Sequence, residues 1–225
     1  MEIPVVENVL KHNDQFAQLN RRTLHEAGVR CLNLIGSPGC GKTTLLEGTL
    51  SALNGEMAIG MLAGDIATTR DAERLARHCR AVSQINTGGG CHLDANQVRE
   101  GMSRLPLADL DLLIIENVGN LICPVGFDLG HDAKVGMFSV PEGDDKPAKH
   151  PRLVLEADLL LLNKIDLLPY VSFSLEVFHR DLASIRQDVS ILQLSASTGE
   201  GLEAWLDWIR AFVAVRRTPA AAAPP

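Results

Sequence analysis

Residues 36–43 read Gly-Ser-Pro-Gly-Cys-Gly-Lys-Thr, a complete G-x-x-x-x-G-K-[ST] phosphate-binding loop. Such a loop works only between a buried strand and the first turn of a helix, so it dictates the local fold. The flanks comply. Val29–Ile35 is a short, mostly apolar run, and from Thr43 onward Leu45, Leu46, Leu50 and Leu53 recur at helical spacing. Backbone N–H groups along Gly36, Ser37, Gly39, Cys40, Gly41 and on to Thr43 and Thr44 can face phosphate oxygens, aided by the positive end of the helix. Lys42 can reach the β- and γ-phosphates, and the Thr43 hydroxyl can bind Mg2+. A nucleoside triphosphate site is the expectation.

Strand and helix patterns alternate along the rest of the chain. Strand-like runs fall at Met57–Leu62 (ending at Gly64-Asp65), Ala81–Ile85, Leu110–Ile115, Val135–Val140, Leu159–Leu162 and Ile191–Leu194. Helical patterns fall at 8–27, where Val9, Leu10, Phe16, Leu19 and Leu24 make a loose apolar stripe, and at Ala72–Cys79, His92–Leu105, Phe173–Ile185 and Leu202–Val215. Pro141–Pro151 reads as a long polar loop. This alternation predicts an α/β fold, a P-loop NTPase of SIMIBI-like type with a mostly parallel sheet and helices on both faces. Residues 1–217 are expected to form one GTPase domain, with 1–28 as a leading helical segment and 218–225 as a disordered Pro/Ala-rich tail.

The net charge of -7 argues against nucleic acid as the main partner. No apolar run approaches the ~20 residues of a membrane span. The five cysteines lack CxxC spacing, which suits reduced thiols in the cytoplasm.

Asn163-Lys164-Ile165-Asp166 follows an apolar strand, at the end where open α/β sheets bind ligands. A carboxylate there accepts from both N1–H and the 2-amino group of guanine; adenine would leave it unpaired, a mismatch worth up to ~10^4 in discrimination. Lys164 would lie along the base and Asn163 would tie this loop to the phosphate loop. Ser195 and Ala196, ending the next strand, would reach the guanine carbonyl. GTP is therefore expected over ATP. Asp65, after a strand, is the first candidate to hold Mg2+ or position the attacking water. Glu116, where another strand meets the phosphates, is the alternative; with Lys42 these are the catalytic candidates. Arg70 and Arg74 fit solvated helix charges as well as an arginine finger, so turnover should be slow.

Cys91-His92 and Cys123 form a second constellation. Two thiolates and an imidazole suit Zn2+ or Ni2+ and not Mg2+. Cys91 stands at the expected start of a helix, which should lower its thiol pKa. Cys123 lies four residues beyond Gly119, in the turn that senses the γ-phosphate in nucleotide-hydrolysing α/β folds. Spacing alone leaves open a structural role for these residues, and three ligands leave a four-coordinate ion incomplete.

Together GSPGCGKT, GDIATTRDAERL, INTGGGCHLDANQV, IENVGNLICPVGFDLGHDAKV, SVPEGDDKPAKHP, LLNKIDLLPYV and SASTGEG resemble the HypB family, the nickel-incorporation GTPases of [NiFe]-hydrogenase maturation. The resemblance runs from about Asn13 to Trp208; the urease accessory GTPases are more distant, with a Cys-Pro-His metal motif absent here. It implies a Mg2+-dependent GTPase acting as a metallochaperone, with Ni2+ or Zn2+ on Cys91, His92 and Cys123. It also implies a nucleotide-dependent homodimer that shares the metal site, and hydrogenase maturation proteins and the hydrogenase large subunit as partners. A regulatory or assembly GTPase with a structural zinc site is the alternative. The chain begins MEIPVVENVLKHNDQF, so the CxxCGC or histidine-rich N-terminal stretch of some members is not carried over. Cys40 stands where Ala is common, and Gly89 where the family has Lys.

Overall fold

A computed structural model describes residues 9–65 and 74–215. Its frame is a seven-stranded sheet, β1 (Arg30–Gly36), β2 (Ile59–Asp65), β3 (Ala81–Asn86), β4 (Leu112–Glu116), β5 (Ala133–Ser139), β6 (Leu159–Asn163) and β7 (Ile191–Gln193). Strand order is β3-β2-β4-β1-β5-β6-β7. Every pairing is parallel, with Leu32 of β1 aligned to Ile114 of β4 on one side and Ala133 of β5 on the other. Parallel strands covered on both faces need continuous apolar runs, and Leu159–Leu162 supplies one that is wholly buried. The chain leaves β1 for β2 on one side and returns to β5 on the other. The switch point therefore falls at the carboxyl end of β1, where the phosphate loop sits.

Helices α2 (Lys42–Ala52) and α7 (Leu202–Ala214) cover one face, packing Leu45, Leu46, Trp205 and Ile209 against Leu34, Ile114 and Leu161. On the other face, α3 (Ala95–Met102) sets Val98 and Met102 against Leu113 and Ile115. Two short helices, α4 (Lys146–Lys149) and α5 (Pro151–Glu156), precede α6 (Leu175–Ile185), whose Phe178 and Leu182 pack with Leu153, Leu160 and Leu162. No helix among the described residues is long and apolar enough to cross a membrane.

Three sequence expectations fail for identifiable reasons. Pro141–Pro151 is not a loop: a 3-10 turn spans Val140–Glu142, and α4 and α5 follow. Its prolines sit in first turns, where a missing N–H costs nothing, and the Ser139–Glu142 capping box closes the 3-10 turn. The helix expected from His92 begins at Ala95, because Asp94 and Gln97 close a capping box there. On the leading helix α1 (Val9–Ala27) the buried stripe is Asn13, Ala17, Asn20 and Leu24, while Leu19 is 45% exposed. The Val9 and Leu10 side chains, residues 72 and 73 of the helix expected over Ala72–Cys79, and the expected tail 218–225 lie outside the described residues.

Candidate functional site

The phosphate loop closes on itself and on its neighbours. Gly41 caps α2 at φ 102, and a Cβ there would come 2.5 Å from the Asn163 amide, so only glycine fits. A Cβ at Gly36 would meet the Cys40 sulfur at 2.6 Å. The Cys40 thiol is fully buried, and burial pushes its pKa up. Lys42 curls over the loop, donating from Nζ to the Gly36 carbonyl at 3.0 Å and the Ser37 carbonyl at 3.1 Å. Thr43 Oγ1 donates to Glu116 Oε1 at 2.8 Å, which joins two of the three magnesium candidates. Asp65 ends β2, next to β4, and its side chain lies outside the described residues.

At the far side of the loop, Asn163 Nδ2 donates to the Cys40 carbonyl at 2.8 Å, and Asn163 Oδ1 accepts from the Ala196 amide at 2.9 Å. One side chain thus joins the phosphate loop to the segment after β7. Lys164, in the left-handed region at φ 63, donates to the Gly39 carbonyl at 2.6 Å. Asp166 Oδ1 is buried without a hydrogen-bond partner among the described residues. Ser195 Oγ accepts from the Thr198 amide and fixes the turn that presents Ala196.

The sulfur and nitrogen atoms of Cys91, His92 and Cys123 converge within 4.8 Å of one another. Cys91 and His92 come from the loop between β3 and α3, and Cys123 opens a 3-10 turn, Cys123–Gly126. Cys91 Sγ lies 3.5 Å from His92 Nδ1, and the Phe127 ring covers the imidazole at 3.9 Å between centroids. Burial pushes the His92 pKa down against the pull of Asp94, favouring the neutral imidazole that binds metal. The lowered Cys91 pKa expected from a helix start is not found. With α3 beginning at Ala95, Cys91 lies outside the helix, and its hydrogen bond with the Cys123 thiol, then desolvation, raises its pKa.

Two amides that sequence reading missed, Asn117 buried and Asn120 half-buried, connect the two sites. Asn117, next to Glu116, accepts at Oδ1 from the Leu93 amide at 3.2 Å and donates from Nδ2 to Asn33 Oδ1 at 3.1 Å. Asn120 donates from its side chain to the Cys91 carbonyl at 3.2 Å and from its backbone to the Gly36 carbonyl at 3.0 Å. Gly119 lies flat on the phosphate loop, where a Cβ would sit 3.0 Å from the Pro38 Cα. The segment from Glu116 to Cys123 therefore touches Thr43 at one end and the metal cluster at the other. Its short polar residues gave a sequence reading no sign of burial.

The nucleotide-binding domain of the CobW/HypB/UreG family matches residues 30–193. The hydrogenase maturation factor HypB of Escherichia coli K12 is 44% identical over 202 residues, covering 90% of this chain and 70% of that protein. This chain belongs to the HypB family. A probable HypB of Methanocaldococcus jannaschii is 39% identical across 94% of this chain and 96% of its own length. Among solved structures, Archaeoglobus fulgidus HypB superposes with a TM-score of 0.85 at 40% identity, covering 91% of this chain and 100% of that chain. Helicobacter pylori HypB, crystallised in complex with nickel, also gives 0.85, at 32% identity over 93% of this chain and 100% of that chain. The signal recognition particle receptor FtsY of Elizabethkingia anophelis shares only the fold, at 14% identity and a TM-score of 0.55 over 93% of this chain and 74% of that chain. The HypB chains and FtsY thus share one fold.

Proposed function

We propose that this chain is a GTP-hydrolysing metallochaperone that couples GTP binding and hydrolysis to nickel delivery into [NiFe]-hydrogenase. The carrying observation is that Cys91, His92 and Cys123 converge on one point, and that Cys123 hangs from the turn that begins at Glu116 and lies on the phosphate loop. Two sulfurs and one imidazole match a borderline-soft cargo ion such as Ni2+ or Zn2+. The membership in the HypB family and the nickel-bound Helicobacter relative point the same way. Partners on this reading are hydrogenase maturation proteins, the hydrogenase large subunit and, in the GTP state, a second copy that completes the coordination shell. The setting is the cytoplasm.

Hydrolysis follows from positioning. Lys42 sits where it can neutralise the β- and γ-phosphates, and the glycine-rich backbone turns its N–H groups toward them. The hard oxygens of Thr43 and Glu116, 2.8 Å apart, fit Mg2+, with Asp65 at the end of the neighbouring strand as a third oxygen donor or water-positioning group. When bound, Mg2+ supplies charge neutralisation between the β- and γ-phosphates. Arg74 is held by Glu47 and Arg70 lies outside the described residues; on this reading turnover is slow, as suits a switch. Lys42→Ala should lower GTP affinity by about 10²-fold, the scale of removing one partner of a desolvated charge pair. Calorimetric titration checks this, and an unchanged affinity would remove Lys42 from the site.

If the Glu116–Gly119 turn shifts when GTP becomes GDP, Asn117 and Asn120 carry the shift to Leu93 and Cys91, and Cys123 moves with its own turn. A displacement of ~1 Å spoils a shell whose distances tolerate about ±0.2 Å. Linkage then requires nickel to alter nucleotide affinity in return. The test is nickel titration of the apo protein in its GDP and GTP-analogue states, at fixed pH with a competing chelator. The two affinities should differ by about 5–150-fold, the usual range of coupling. Equal affinities would overturn the coupling and leave a GTPase with a structural metal site.

A further inference from the structure

A helix packed on a core ordinarily buries alkyl side chains, yet α1 buries two amides. Asn13 is 7% exposed and Asn20 fully buried, in the stripe that also holds Ala17 and Leu24. The surface beneath them explains this. It is the backbone of the α3 N-terminus and of residues 128–129, whose N–H and C=O groups need partners, and Asn can both donate and accept.

Every bond these two amides make ends on a loop that carries a metal-ligand candidate. Asn20 Nδ2 donates to the Ala95 carbonyl at 2.7 Å and to the Leu129 carbonyl at 3.0 Å. Asn13 Oδ1 accepts from the Ala95 amide at 2.9 Å, one of the orphan N–H groups of the α3 N-terminus. Asn13 Nδ2 donates to the Asp128 carbonyl at 2.8 Å. Ala95 lies three residues after His92, and Asp128 five residues after Cys123. Arg21 adds a fork to both Asp128 carboxylate oxygens at 2.9 and 2.8 Å. Gly130 permits the close approach: at φ 88, a Cβ there would fall 2.6 Å from the Asn20 Cβ and 2.7 Å from the Ala17 carbonyl. Helix α1 thus touches both ligand-bearing loops at once, through the same two side chains.

We infer that α1 is a clamp that fixes the spacing of the Cys91–His92 loop from the Cys123 loop, with Asn13 and Asn20 as positioning residues for the bound nickel. The inference rests on the nickel reading of Cys91, His92 and Cys123. The two loops are otherwise joined by the His92–Phe127 ring contact and by Asn117 and Asn120, which belong to the nucleotide-sensing turn. The clamp therefore fixes the far ends of both loops, so that a shift of that turn is felt at the ligands and is not lost as the loops drift apart.

The test uses the full chain with Asn13→Leu, Asn20→Leu and the double substitution, which keep side-chain size and remove the hydrogen bonds. Readouts are Ni2+ affinity against a competing chelator, the sulfur-to-nickel charge-transfer absorption, GTP-analogue affinity and thermal midpoint. Each single change should weaken nickel by about 10–100-fold, as lost outer-shell partners do, and should shift the absorption band. GTP-analogue affinity should stay at the wild-type value, because neither amide bonds the phosphate loop or the Asn163–Asp166 segment. Leu182→Ala, in the cluster under α6, is the control for general destabilisation and should leave nickel affinity unchanged. If the leucine variants do not fold, Arg21→Ala at its half-exposed position frees Asp128 alone and should still weaken nickel several-fold while Leu182→Ala does not. Wild-type nickel affinity in the folded double variant, in Arg21→Ala where the leucine variants do not fold, or a loss no larger than that of Leu182→Ala, would overturn the clamp. Wild-type protein that binds no nickel at all would instead defeat the underlying reading.

Discussion

Asp166→Asn is expected to reverse base preference, weakening GTP and favouring xanthosine triphosphate. The Asp166 carboxylate holds a buried oxygen, Oδ1, that no hydrogen-bonding group among the described residues engages. Guanine offers N1–H and a 2-amino group to that carboxylate; the asparagine amide turns one acceptor into a donor and faces the 2-amino group with like polarity. Xanthine carries a 2-oxo group there and accepts from the new amide. A site built around hydrogen bonds rejects a mismatched ligand by up to ~10^4, so the GTP-to-xanthosine-triphosphate ratio should move by several orders of magnitude. The frame should survive, because Asn163 still spans the Cys40 carbonyl and the Ala196 amide, and Lys164 still reaches the Gly39 carbonyl. Competitive titration with GTP, ATP and xanthosine triphosphate measures the ratios. A variant that prefers GTP as strongly as wild type would remove Asp166 from the base site.

What the sequence disclosed and what it hid divide along one physical line. The phosphate loop and the all-parallel α/β sheet were legible because contiguous residues carry them. Gly41 must be glycine for its own φ and for the Asn163 contact, and Leu159–Leu162 must be apolar because both faces of β6 are covered. The α3 start was misplaced by three residues, although Asp94 and Gln97 spell a capping box that sets it at Ala95. The buried face of α1 was illegible for a deeper reason. Beneath Asn13 and Asn20 its partner is backbone, at the α3 N-terminus and residues 128–129, while Leu24 joins a hydrophobic core, so the stripe that packs contains two amides and Leu19 faces solvent. No periodicity rule selects such a face. Asn117 and Asn120 escaped notice likewise, since an asparagine in a turn reads as a turn former until its distant partners, Asn33, Leu93 and Cys91, are placed. The same long-range bonds that sequence could not disclose are those that join the nucleotide loop to the metal cluster.

Alanine at Cys91, His92 or Cys123 is expected to cost nickel more than about 100-fold in affinity, beyond the range lost with outer-shell partners. The three donor atoms lie within 4.8 Å of one another, close enough for all three to hold one ion directly, and on that reading none can be replaced by its neighbours. Loss of one thiolate also removes a negative charge that binds and neutralises a divalent cation, and it leaves water in a place suited to soft sulfur. His92 has a further role: its ring, packed against Phe127 and lying 3.5 Å from Cys91 Sγ, ties the loop before α3 to the segment after Cys123. The fold should tolerate the changes, because Cys91 is exposed and Cys123 only partly covered. GTP affinity should persist as well, since Lys42 and Asp166 stand on other loops. The Cys91→Ala/Cys123→Ala double variant should bind no stoichiometric nickel. Equilibrium dialysis with metal analysis, run beside a GTP titration of the same samples, separates the outcomes. Full nickel occupancy in the double variant would place the ion elsewhere, and parallel loss of GTP and nickel would mean that these residues serve the fold and not a metal.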